Sequence, residues 1–146
     1  MKLEEIGFYT LTDERAMHAG EKSLIWRGEI IVTGRCNFNC IYCRRLSPKG
    51  IDQNLALEVI EQWLKDGLKN IRFSGGEPTL YKPLSMLVQK CKESGVERIG
   101  ISSNGSAPFH LYEQLIQEGV NDIAISLDSC YPVLADTIAR VKNQWE

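Results

Sequence analysis

From residue 29 onward, apolar positions alternate between two rhythms. Glu29-Ile30-Ile31-Val32-Thr33 is a compact β-branched run and predicts a buried strand. Asn54 can cap a helix in which Leu55, Val59, Ile60, Trp63 and Leu64 recur at helical spacing up to Gly67. Ile71-Arg72-Phe73 predicts a second strand. Leu84, Leu87, Val88 and Cys91 then mark one face of a helix that ends at Gly95. A third strand is expected over 98–102, and a third helix from Pro108 to about Glu118, with Leu111, Leu115 and Ile116 apolar. A fourth strand over 122–127 and a helix over 131–143 complete the pattern. Strand followed by helix, four times over, implies parallel strands joined by crossovers. Ahead of this α/β core (29–146) lies an amino-terminal arm (1–28), where Thr12 or Asp13 can cap a short helix over 13–19.

Four parallel strands with helices on one face cannot close a barrel. The expected α/β fold is therefore an open concave parallel sheet of about four βα units, with an open inner face and an unpaired edge. Such an edge calls for a cover. The arm, through Phe8 and Trp26, is one candidate; self-association, or a second chain that completes the barrel, is the other.

The chemistry concentrates just past the first strand, in Cys36-Asn37-Phe38-Asn39-Cys40-Ile41-Tyr42-Cys43. The carboxyl ends of parallel strands are where active sites gather in such folds. Three thiols at this spacing leave several readings open. Disulfides would close poor loops and leave one thiol over. Structural zinc wants four ligands, and His18, His110, Cys91 and Cys130 lack paired spacing. An iron–sulfur cluster held by three thiolates would keep one iron open, as catalysis requires. Cys91, on an apolar helix face, reads as a small buried hydrophobe, and Cys130 as a loop thiol.

The motif Cys36-x-x-x-Cys40-x-x-Cys43, with Tyr42 beside its last cysteine, resembles the signature of the radical S-adenosylmethionine (radical SAM) enzymes. Ser74-Gly75-Gly76-Glu77-Pro78 resembles their second motif. Ser103-Asn104-Gly105 and Ser126-Leu127-Asp128 resemble strand ends of the branch that includes the molybdenum-cofactor cyclisation enzymes. Four such motifs in order on a strand–helix pattern are far more specific than any one alone.

The resemblance implies a partial parallel (β/α) barrel of which about four βα units, the N-terminal part of a six-strand core, stand in this sequence. It implies a 4Fe-4S cluster on Cys36, Cys40 and Cys43, with S-adenosylmethionine (SAM) chelating the fourth iron. It implies that Gly75, Gly76 and Glu77 receive the SAM ammonium, with the Glu77 carboxylate facing the pocket, and that Tyr42 meets the adenine. Ser102, Ser103, Asn104, Ser126 and Asp128 would lie near the ribose or carboxylate; for Asp128 a helix cap is the competing reading. It further implies a low-potential ferredoxin- or flavodoxin-like electron donor, reductive cleavage of SAM to a 5′-deoxyadenosyl radical, and hydrogen abstraction from an unnamed substrate. The rival reading is a non-catalytic module of this fold that holds a cluster or zinc. Arg44-Arg45-Leu46-Ser47-Pro48-Lys49-Gly50 is a basic turn-rich loop: solvated, or an edge of the site that meets an anionic group.

Composition narrows the setting. Hydrophobic residues make up 43% and charged residues 25% of the 146, an ordinary globular balance. With 17 basic against 19 acidic residues and no long single-sign run, there is no electrostatic footprint for nucleic acid or an anionic membrane. Met1-Lys2-Leu3-Glu4-Glu5 opens no apolar leader, and reduced thiols at metal spacing predict a cytoplasmic protein.

Overall fold

The computed structural model describes residue 20 and residues 23–44 and 47–142. The expected helix over 13–19, Phe8 and His18 lie outside the described residues. Among the described residues, four strands alternate with four helices: β1 (Arg27–Thr33), α1 (Gln53–Lys65), β2 (Asn70–Gly75), α2 (Leu84–Glu93), β3 (Arg98–Ser103), α3 (Phe109–Glu118), β4 (Asp122–Ile125) and α4 (Pro132–Ala139). A 3-10 turn, Pro78–Leu80, follows β2. The sheet runs β1-β2-β3-β4, every neighbouring pair parallel. These are the parallel strands that the alternating pattern implies, arranged as the partial α/β barrel that the resemblance implies.

Alternation along the strands decides the two faces. Ile30 and Val32 of β1, Ile71 and Phe73 of β2, and Ile99 and Ile101 of β3 are buried in one core with Ala56 and Ile60 of α1. Leu84, Leu87, Val88 and Cys91 of α2 join the same core, the four positions marked by helical spacing. Each large side chain so buried contributes about 1.5–3 kcal/mol of transfer free energy. The intervening residues form a polar inner face. The register sets Glu29 beside Arg72, Arg72 beside Gly100, and Gly100 beside Asp122. Asp122 accepts from Arg72 at 3.0 Å and from Arg98 at 2.8 Å, which neutralises charge along that face.

Several boundaries differ from the sequence reading. β1 begins at Arg27, so the arm gives up two residues to the core. Asp52, not Asn54, caps α1: its carboxylate accepts from the N–H groups of Asn54 and Leu55 at 2.9 and 3.1 Å. Both residue types cap well, and only the backbone path distinguishes them. β4 stops at Ile125. α4 stops at Ala139 because Arg140 adopts a left-handed conformation, φ 54°, which no glycine announces. Ile116, expected on the apolar face of α3, is exposed.

The described end of the arm runs along the α1–β2 connection. The Ile25 N–H donates to the Asp66 carbonyl at 2.8 Å, and the Trp26 carbonyl accepts from Lys69 and Asn70. That is the amino end of the sheet, opposite the cysteine loop. Ile31, on the inner face of β1, remains 54% exposed.

Candidate active site

The cysteine loop continues β1, and two glycines allow it to lie against the end of β2. The Gly76 N–H donates to the Thr33 carbonyl and the Glu77 N–H to the Arg35 carbonyl, each at 2.7 Å. A Cβ on Gly75 would stand 2.1 Å from the Thr33 carbonyl oxygen, and one on Gly76 would stand 2.2 Å from that of Arg35. Gly75 also has φ +143°, a conformation that side chains oppose. The Gly-Gly pair is therefore required by backbone contact with the loop that carries the thiols.

The far side of the loop is pinned by the end of α4. The Asn39 N–H donates to the Ala139 carbonyl at 3.0 Å, and the Ile41 N–H to that of Ile138 at 2.9 Å. These are carbonyls of the last turn of α4, which lack helical partners. Cys40 is thus flanked by two bonds to one helix end. The Tyr42 hydroxyl donates to Asp128 at 2.7 Å. The hydrogen bond to that carboxylate, helped by partial burial, holds the Tyr42 phenol well above its usual range. Asp128 caps no helix; the side chain bonding the α4 entry is Ser129, which accepts from the Tyr131 N–H at 3.0 Å.

Glu77 is 0% exposed. Its carboxylate does not open onto the pocket as the sequence reading has it. Oε1 accepts from the Thr79 N–H (3.1 Å), the Thr79 hydroxyl (2.7 Å) and the Ser103 hydroxyl (2.9 Å), while Oε2 accepts from the Asn104 N–H (2.7 Å). The carboxylate ties the turn after β2 to the end of β3. Ser103, itself buried, shares its hydroxyl with Tyr112 at 2.7 Å. Ser102 lies on the other face, 3.5 Å from the Arg72 guanidinium. Ser126 is exposed, its N–H bonded to the Ser103 carbonyl at 2.8 Å.

Asn104 reaches back to the cysteine loop. Its Nδ2 lies 2.9 Å from Asn37 Oδ1 and 3.8 Å from Cys36 Sγ. Cys36 Sγ also accepts from the Phe38 N–H at 3.4 Å. Burial pushes the Cys36 thiol above its ordinary range, and the Phe38 N–H acts in the opposite direction.

Beside this loop opens a cavity of about 530 Å³, within the usual range for small-molecule sites. Cys36, Cys43, Gly75 and Gly76 line it, together with Arg35 and Arg44. The remaining expected site residues, among them Cys40 and Tyr42, are not in its wall. Arg35 and the neighbouring Gly34 escaped the sequence reading; the signal was their place between a strand and the first cysteine. Among the described residues, no three His, Cys, Asp or Glu side chains converge on a single metal position. Three thiols on one loop, two of them in the wall of a roomy cavity, suit a group larger than one ion, with each thiolate on a different iron. Cys91 is fully buried in the core, its thiol pushed up to about 12 by burial. Cys130 is exposed, and so is His110.

Comparison with known proteins agrees with this architecture. Residues 30–146 match the Radical SAM superfamily. The chain is 36% identical over 115 residues to a probable GTP 3′,8-cyclase of Methanothermobacter marburgensis, covering 76% of this chain and 38% of that protein. It is 33% identical over 122 residues to molybdenum cofactor biosynthesis protein 1 of Bos taurus, covering 78% of this chain and 19% of that one. The SAM-bound crystal structure of Streptococcus suis SuiB superposes with a TM-score of 0.70 at 18% identity, covering 82% of this chain and 29% of SuiB; that likeness is one of fold. The chain spans less than two-fifths of the length of these relatives. Members of the family are enzymes that use a 4Fe-4S cluster and SAM, and among the described residues no helix is long and apolar enough to cross a membrane. With the matched segment running from β1 through all four strands, the chain belongs to the radical SAM superfamily.

Proposed function

We propose that this chain carries the cluster- and SAM-binding part of a radical SAM enzyme. The observation that supports it most is the placement of Cys36 and Cys43 with Gly75 and Gly76 around one cavity, at the carboxyl ends of adjacent parallel strands. Cys36, Cys40 and Cys43 hold three irons. The backbone at Gly75–Gly76 receives the SAM ammonium, which can only donate. Glu77 holds that turn and the end of β3 in place, and Arg35 and Arg44 present cationic groups to the carboxylate of SAM or to an anionic substrate. Ser102, Ser126 and Asp128 stand at the mouths of β3 and β4, where the ribose and substrate would pass, and Tyr42 stands beside the adenine.

When bound, the cluster and SAM supply the reductive cleavage of SAM to methionine and a 5′-deoxyadenosyl radical that takes a hydrogen atom from the substrate. The protein's own task is to bind, orient and exclude water. A low-potential ferredoxin- or flavodoxin-like donor provides the electron, and a chain that completes the barrel, or a second copy, covers the open inner face. The names of the relatives make GTP the first substrate to try.

Anaerobic reconstitution tests the reading: about four irons and four sulfides per chain are expected, and Cys40→Ala should retain no intact four-iron cluster. Stoichiometric zinc with rejection of iron and sulfide would favour the non-catalytic module instead.

A further inference from the structure

We propose that the side-chain amide of Asn104 donates a hydrogen bond to the Cys36 thiolate and thereby raises the reduction potential of the cluster. The inference rests on the assignment of Cys36, Cys40 and Cys43 as the cluster ligands.

The orientation of the amide is fixed by its surroundings. Oδ1 of Asn104 accepts from the Ser106 N–H at 3.0 Å and from the Ser106 hydroxyl at 2.6 Å. Two donors on one atom identify it as the oxygen, so Nδ2 is the atom facing the cysteine loop. That nitrogen has two hydrogens. Asn37 Oδ1 takes one at 2.9 Å, and Cys36 Sγ lies 3.8 Å away for the other. Asn37 is held in turn, its own amide donating to the Ser106 hydroxyl at 2.7 Å. The backbone of Asn104 is fixed from the opposite side by buried Glu77, whose Oε2 accepts the Asn104 N–H at 2.7 Å. A buried carboxylate, an amide and a thiol thus form a chain from the turn after β2, through the end of β3, to the first cysteine. With the Phe38 N–H at 3.4 Å, Cys36 Sγ has two N–H donors.

The consequence is electrostatic. Reduction adds negative charge to the cluster and its thiolates. A donor aimed at a ligating sulfur favours the more negative form and moves the potential upward. Asn104 is therefore a positioning and tuning residue that acts through Cys36.

The test is the midpoint potential of the reconstituted full chain, without SAM, for wild type, Asn104→Ala and Asn104→Asp. Alanine removes the donor. Aspartate keeps the shape and the oxygen facing Ser106 but places an acceptor at the sulfur. The expected order is wild type highest, alanine lower and aspartate lowest. At a fixed solution potential the reduced-to-oxidised ratio should fall by about tenfold in aspartate, or ~59 mV for a one-electron couple. A purely structural role would leave the neutral alanine variant close to wild type, whereas the charge of aspartate lowers the potential in either case. As a second readout, the reduced wild-type cluster in protein labelled with ¹⁵N-asparagine should show a hyperfine coupling that Asn104→Asp loses. Equal potentials in wild type and Asn104→Ala, or a labelled wild type with no coupling, would overturn the inference while leaving the cluster assignment intact. If neither variant assembles a cluster, the labelled wild type alone decides. A wild-type chain that assembles no four-iron cluster overturns both.

Discussion

The Tyr42 hydroxyl donates to Asp128 at 2.7 Å across 86 residues of sequence, joining the loop after β1 to the loop after β4. These strands are the two edges of the sheet, so the cysteine loop spans its mouth. Tyr42→Phe should leave global stability within about 1 kcal/mol of wild type, since both groups are exposed. Amide hydrogen exchange at residues 38–43 should nevertheless quicken severalfold; unchanged exchange would remove the bond as a latch. The shift also has a sign. A phenol held above its unfolded value contributes its stability below the unfolded pKa and loses it only as pH rises through the folded value. The exchange rates, corrected for intrinsic pH dependence, should therefore give the same protection between about pH 6 and 9.

Glu77 has a role that can be separated from SAM binding. Glu77→Ala would leave the donors of Thr79, Ser103 and Asn104 without their acceptor in a buried place. Urea unfolding of the metal-free chain should show a loss of roughly 2–4 kcal/mol, because each buried donor left unsatisfied costs about 1–3 kcal/mol before the site relaxes. A loss below about 1 kcal/mol would mean that the carboxylate is not the strut described here.

Gly76→Ala should displace the cysteine loop, because its Cβ would meet the Arg35 carbonyl oxygen at 2.2 Å. Crowding of this kind costs about 1–3 kcal/mol, and cluster content should fall with it. Gly95→Ala is the control. Its φ is +78° but nothing lies within 4 Å of the added carbon, so only backbone strain of about 1–2 kcal/mol applies and cluster content should be kept. Iron content that falls equally in both variants would contradict the contact argument.

Thiol chemistry should separate the three exposed cysteines from the buried one. In the metal-free chain at about pH 8, iodoacetamide should label the exposed Cys36, Cys43 and Cys130. Cys91, buried and with its thiol pushed up to about 12, should stay unlabelled until the protein is unfolded. Mass spectrometry of the peptides reads this directly, and rapid labelling of native Cys91 would contradict its place in the core.

The strand–helix order was legible because burial imposes distinct periods, as Leu84, Leu87, Val88 and Cys91 illustrate. The cysteine motif was legible because local spacing carries it. What escaped depends on partners far along the chain. Nothing near Glu77 says that Ser103 and Asn104 will occupy its carboxylate. Nothing near Cys40 says that the carbonyls of Ile138 and Ala139 will accept the N–H groups on either side of it. The end of α4 was missed because a left-handed Arg140 has no composition signal, and the α1 cap because Asp52 and Asn54 offer the same chemistry two residues apart.

The central claim is that three thiolates leave one iron open for SAM. The measurement that tests it most directly is electron paramagnetic resonance of the reduced, reconstituted chain titrated with SAM. The account predicts a 4Fe-4S signal whose line shape changes and saturates at about one SAM per cluster. A signal that stays the same at every SAM concentration, with no SAM retained by the protein, would contradict it.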